Sequence, residues 1–171
     1  MTYFTLRIRA EAPEDFASVE QLGAEAFGPG RFARAAFRLR EGVAHEAGLS
    51  FVALMKNGSG VEELVGSVRL TRILIGCRPA LVLGPLVVAR SRKNLGIGRE
   101  LMNRALHAAR EQGHRLVILV GDQPYYARFG FRPVPAGRIT LPGPADPARI
   151  LYLELEPGAL VDHAGAARKH A

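Results

Sequence analysis

The sequence predicts an α/β fold: a mixed, mostly antiparallel sheet of six to seven strands flanked by about four helices. Three observations carry this expectation. Between residues 50 and 88 three apolar runs of strand length follow one another across turn sequences, the pattern of a meander. Residues 97–112 repeat apolar side chains at helical spacing. That helix separates two apolar runs, 81–88 and 115–120, and a strand–helix–strand unit pairs its strands in parallel through a right-handed crossover.

The elements follow in order. Thr5 to Arg9 alternates as a strand. Ala12-Pro13-Glu14-Asp15 starts a helix, with proline at its first position and acids in its first turn. Phe16, Val19, Leu22, Ala26 and Phe27 continue it until Gly28-Pro29-Gly30 breaks it. A second helix is expected from Arg31 to Arg40. Ser50 to Met55 is a strand, and Asn57-Gly58-Ser59-Gly60 is its hairpin turn. Next, Leu64, Gly66, Val68 and Leu70 face one way, and Ser67, Arg69 and Thr71 the other. Gly76-Cys77-Arg78-Pro79 turns the chain into Leu81–Val88, which is apolar on both faces and so belongs inside the sheet. Proline cannot donate to a ladder, so Gly84-Pro85 predicts a bulge.

In the helix from Ile97 to Gln112, Ile97, Leu101, Met102, Ala105, Leu106 and Ala109 form one apolar face, and Gly113 ends it. Arg115 to Val120 is a strand, Tyr125 to Phe129 a short helix, and Pro133 to Pro147 a Pro/Gly-rich excursion. Ile150 to Leu155 is the last strand. A length of 171 residues suits one domain, expected over residues 1–156, with 157–171 a mobile tail.

Composition excludes several classes. Hydrophobic residues make up 48% and charged residues 23%, which is globular rather than disordered. Cys77 stands alone, so there is no internal disulfide and no zinc spacing, and a reducing cytoplasm fits best. No run reaches the ~18 apolar residues of a membrane span. The N-terminus has no basic start followed by an apolar block, so no signal peptide is expected. The net charge is +7, and 20 of 23 basic residues are arginine. They are scattered, whereas nucleic-acid binders cluster theirs on one face. The charge is therefore read as coding bias plus an anionic cofactor, with no nucleic-acid or membrane partner and no metal.

Two segments carry chemistry. Leu86-Val87-Val88 runs into Lys93-Asn94-Leu95-Gly96-Ile97-Gly98-Arg99, a basic, glycine-bearing loop that opens the longest helix. Unpaired N–H groups at a helix N-terminus, glycines that admit a ligand to the backbone, and added cations form a pyrophosphate cradle. It is neither a Walker loop nor the dinucleotide fingerprint, because Gly-Lys-Ser/Thr is missing and position 101 is leucine. The second segment is Tyr125-Tyr126-Ala127-Arg128-Phe129-Gly130-Phe131.

Together the two resemble the GNAT superfamily of N-acetyltransferases over roughly residues 4–156. Lys93-Asn94-Leu95-Gly96-Ile97-Gly98 occupies the family's Gln/Arg-x-x-Gly-x-Gly/Ala loop. Tyr125 to Phe131 matches its aromatic-Tyr-x-x-x-Gly-Phe block. Leu83-Gly84-Pro85-Leu86-Val87-Val88 looks like the strand before the loop in a bacterial branch of the family. The resemblance implies acetyl-CoA as cofactor and a splayed parallel strand pair that takes its pantetheine arm. Leu86 and Val88 would pair with that arm, and the amide of Val87 or Val88 would polarise the thioester. An amine attacks directly, and Tyr126 protonates the departing thiolate.

There are departures. Lys93 replaces the usual Gln or Arg, and no carboxylate lies between Leu81 and Val88 to serve as a base. Asp122 is a candidate for that role, with a helix N-cap as its alternative. Tyr125 is read as a packing residue, and Arg128, His107 and His114 as solvated. Glu20, Glu25 and His45 lie in regions that border the acceptor site, which segments 27–48 and 133–149 are expected to shape. The acceptor is a small-molecule or peptide amine, and a homodimer is the family's common state. Two rival readings remain: a non-catalytic acyl-CoA binder of the same fold, and a basic nucleic-acid module.

Overall fold

The computed structural model describes residues 5–28 and 35–170. Its strands are β1 (Leu6–Ala10), β2 (Phe51–Lys56), β3 (Glu62–Ile75), β4 (Arg78–Val88), β5 (Leu116–Val120), β6 (Arg132–Pro133), β7 (Ile139–Thr140), β8 (Ile150–Glu154) and β9 (Gly165–Lys169). The helices are α1 (Phe16–Phe27), α2 (Ala35–Arg40), α3 (Ile97–Glu111) and α4 (Gln123–Tyr126). The sheet runs β1-β2-β3-β4-β5-β8-β6, with β9 joining β3 to β7. The meander β1 to β4 is antiparallel. The β4–α3–β5 unit makes the parallel pair that its connection demands.

Side-chain alternation divides the core between the two faces. Val68, Leu70, Leu81, Leu83, Val117 and Leu119 pack under the apolar stripe of α3. Their neighbours Ile73, Ile75, Ala80, Val82, Leu116 and Ile118 face the opposite way, toward Leu39 of α2 and Ala167 of β9. α1 covers the rest of that second face, against β3 and β4. No helix among the described residues is long and apolar enough to cross a membrane.

Gly66 is where α3 rests on the sheet. A Cβ there would stand 3.0 Å from Leu101 Cδ1, 3.1 Å from Ile97 Cγ2 and 3.1 Å from the Val87 carbonyl oxygen. Gly66→Ala should therefore destabilise. Overpacking costs about 1–3 kcal/mol, only partly offset by the ~0.4–1 kcal/mol gained from a stiffer unfolded chain. A urea titration reads the outcome, and a variant more stable than wild type would disprove the close seating.

Three expectations change. Among the described residues nine strands form where six to seven were expected; the additions are the two-residue β6 and β7 and the C-terminal β9. The supposed tail is built into the fold. β9 pairs with β3 at Ile73↔Lys169, Leu74↔Arg168 and Ile75↔Ala167. His163 just before it is buried, its ring nitrogens 2.7 Å from the Ala159 carbonyl and 2.9 Å from that of Pro79. The short helix starts earlier than read, at Gln123, and passes into a 3-10 turn at Ala127–Phe129. The start of the second helix, positions 31–34 in the sequence reading, lies outside the described residues.

Candidate active site

The bulge inferred from Pro85 is present. Val68 pairs with Leu86 and Leu70 with Leu83, so Gly84 and Pro85 together oppose Arg69. The Gly84–Pro85 peptide is cis, and Gly84 has φ +140°. β4 and β5 pair only at Leu81↔Val117 and Val82↔Ile118. Beyond the bulge the two strands part, which opens a gap in the sheet.

Strand geometry decides which backbone groups face the gap. Ala89 N–H donates to the Val65 carbonyl across β3. Peptide groups alternate sides along a strand, so those of Val87 also turn to β3. Leu86 and Val88 therefore present their N–H and C=O to the gap. This corrects the expectation for Val87, whose amide already serves the ladder.

At the open end, Asn94 and Gly96 take left-handed conformations, φ 66° and 79°. They curl the backbone so that the unpaired first-turn N–H groups of α3, those of Ile97, Gly98 and Arg99, face outward. Arg90, Arg92 and Lys93 precede this turn along the chain and Arg99 follows it. Gly98 lies close under Tyr125: a Cβ there would be 2.7 Å from the Tyr125 hydroxyl and 3.7 Å from Val88 Cγ2. Tyr125 thus bridges α4 to the first turn of α3, with the Arg128 guanidinium over its ring. Cradle and strand edge together fit a long anionic ligand with an amide-bearing arm.

On the other face, a cavity of about 980 Å³ reaches the gap. Both segments expected to shape an acceptor site contribute to its wall, the first mainly through Arg40 to His45 and the second through Pro144, Ala145, Asp146 and Arg149. Its floor is Leu83 to Leu86 and Val120 to Asp122. Tyr126 lines it, its ring against Gly121 and edge-on to Tyr125 and Phe131. Burial, with Tyr125 and Asp122 adding to it, pushes the Tyr126 phenol up to about 12. Asp122 occupies the N-cap position of α4 without a side-chain cap bond. Its exposed carboxylate instead accepts from Arg149 at 3.3 Å.

One cluster escaped the sequence reading. Arg69, on the polar side of β3, is buried against Glu11, also buried. Its Nη2 donates to Glu11 at 2.7 Å and its Nη1 to Glu20 at 2.9 Å. His45 Nε2 lies 2.7 Å from the other Glu11 oxygen. Burial alone would raise the Glu11 carboxyl, but the bonds from His45 and Arg69 outweigh it and hold it below the usual range. Glu20, His45 and Arg69 all line the cavity. The available signal was an arginine within an otherwise apolar strand.

Comparison with known proteins bears on this arrangement. A family model described as "Acetyltransferase (GNAT) family" matches residues 16–131. Among solved structures, the chain is similar to the GNAT family N-acetyltransferase YhbS from Escherichia coli, solved in complex with CoA. That match has a TM-score of 0.80 at 23% identity and covers 99% of this chain and 92% of that one. A GNAT family acetyltransferase from Brucella melitensis, in complex with acetyl-CoA, is 28% identical with a TM-score of 0.69, covering 98% and 97%. An acetyltransferase of GNAT family from Staphylococcus aureus Mu50 has a TM-score of 0.60 at 16% identity, covering 89% and 100%. Among curated proteins, none matches this chain by sequence.

Proposed function

The chain belongs to the GNAT acetyltransferase family, and on that premise we propose that it transfers an acetyl group from acetyl-CoA to a primary amine by direct attack on the thioester. The observation that carries this is the gap between β4 and β5. It joins the cradle at α3 to the cavity on the opposite face, so two substrates can meet without sharing an entrance.

The residues divide the work. Lys93, Asn94, Leu95, Gly96, Ile97, Gly98 and Arg99 hold the pyrophosphate through backbone N–H groups and charge. Leu86 and Val88 accept the pantetheine arm as an added strand. The Val88 amide polarises the thioester carbonyl, and such a fixed donor is worth roughly 3–4 kcal/mol in a transition state. Tyr126 gives its proton to the departing sulfur. Acetyl-CoA supplies the activated acyl group. Asp122, at the cavity rim, pairs with Arg149.

A thermal-shift titration tests the cofactor half. At acetyl-CoA one hundred times its dissociation constant, stabilisation is ~2.7 kcal/mol, a rise of roughly 5–11 °C for a domain this size. Gly96→Glu, which puts a carboxylate in the cradle, should abolish the rise. No rise with the wild-type chain at millimolar acetyl-CoA would end the proposal. An amine screen that follows free thiol tests the other half; binding without thiol release would mark a non-catalytic acyl-CoA binder.

A further inference from the structure

We propose that His45 is the general base that deprotonates the acceptor amine, with Glu11 as the positioning residue that holds its ring in the working tautomer. This rests on the transferase reading above. A primary alkylamine is a cation at neutral pH and has no lone pair until it loses a proton, so the site needs a base within reach, directly or through one water.

The other carboxylates on the cavity wall are committed or far out. Asp122 is 78% exposed and paired with Arg149. Glu20 is bonded to Arg69. Asp146 accepts the Ala148 N–H at the start of a 3-10 turn. Glu41, just past α2, is exposed at the surface.

His45 differs in its support. It opens on the same cavity as Gly84–Leu86 and Tyr126, and its side chain is 26% exposed while that of Glu11 is 2% exposed. Glu11 is kept ionised by Arg69, with bonds at 2.7, 3.1 and 3.2 Å. An ionised carboxylate only accepts, so the hydrogen sits on Nε2 and a neutral ring carries its lone pair on Nδ1. Among the described residues, Nδ1 has no partner. The charges linked to the ring come from three elements: Glu11 after β1 touches it, Arg69 of β3 is bonded to Glu11, and Glu20 of α1 is bonded to Arg69. Together they form a compensated set around a histidine whose free nitrogen is left for substrate.

The step balances. Nδ1 takes one proton from the ammonium, and the freed nitrogen lone pair forms the C–N bond at the thioester carbon. The C–S bond breaks, and its electron pair stays on sulfur. The new amide nitrogen sheds its second proton while sulfur gains one through Tyr126. His45 passes its proton to water at its exposed edge, so one proton is released per acetyl group transferred.

The test compares two ring amines of similar size, which suit a wall that includes Phe16 and Phe27. Benzylamine is protonated at neutral pH and aniline is not. His45→Gln keeps a donor for Glu11 but removes the base. It should lower kcat/KM for benzylamine about 100-fold, leave aniline within about threefold, and leave the acetyl-CoA thermal shift unchanged. Glu11→Gln should shift the benzylamine-to-aniline ratio in the same direction by a smaller factor, which a purely structural role would not do. Should His45→Gln fail to fold, imidazole added to His45→Ala should restore benzylamine turnover selectively. Equal loss on both amines, or no loss, overturns the proposal alone. A wild-type chain that binds acetyl-CoA but acetylates neither amine overturns it together with the transferase reading.

Discussion

Arg69→Met should cost about 3–5 kcal/mol of stability, because it strips the partner from a buried carboxylate. At 171 residues that is a fall in melting temperature of roughly 6–20 °C. Methionine fills much of the arginine's space, so a cavity is not the main cause. Glu11 is left with His45 as its remaining partner at 2.7 Å, and Glu20 loses its bond. The pH dependence carries a sign. The folded-state pKa of Glu11 lies below its ordinary value, so its contribution is present above the unfolded carboxylate range and is lost as pH falls through the folded value. In the variant the lowering by arginine is gone and only the His45 bond still opposes burial, so that shift weakens. The gap between wild type and variant should therefore be widest near neutrality and narrow in acid. As a control, Arg7→Ala breaks the exposed Arg7–Glu62 pair and should leave the melting temperature near wild type. A change of less than about 2 °C for Arg69→Met would mean that the cluster is already hydrated and does not act as a buried pair.

Tyr126→Phe should lower kcat by about 10²–10⁴-fold, the usual contribution of a placed acid, with little change in acetyl-CoA affinity. The substitution removes only an oxygen; the ring keeps its place against Gly121 and its edge-on contact with Phe131 at 6.0 Å. Because the phenol is pushed up to about 12, it stays protonated through ordinary assay conditions. Its loss of function should come only as pH rises toward that value. Tyr125→Phe is the decisive companion, since Tyr125 lies beside it with its hydroxyl at Gly98. Full activity in Tyr126→Phe with loss in Tyr125→Phe would move the proton donor to the α3 side of the gap.

What could be read in advance was local. The stripe from Ile97 to Ala109 specifies α3 and its face by itself, and Pro85 in a buried strand admits few structures other than a bulge. The loop at Gly96 and the Tyr126 block were singled out by their resemblance to motifs of the GNAT family, not by local physics alone. What stayed hidden was long-range. Arg69 alternated correctly to the polar side of β3, yet its burial depends on Glu11, 58 residues away. His45 stood in a segment with no periodicity, and only folding brings it to Glu11. The stretch from Gly165 to Lys169 buries a single side chain, Ala167. A strand held chiefly by edge pairing leaves almost no hydrophobic trace, which is why it read as a tail.

That strand also protects the molecule from association. β2 ends its pairing at Phe51↔Val68, so the far end of β3 would otherwise present open donors and acceptors on that side. An unpaired strand edge is a template for another chain. β9 occupies it from Ile73 to Ile75 and brings the charges of Arg168 and Lys169 to the rim, where they act as gatekeepers against intermolecular sheet growth.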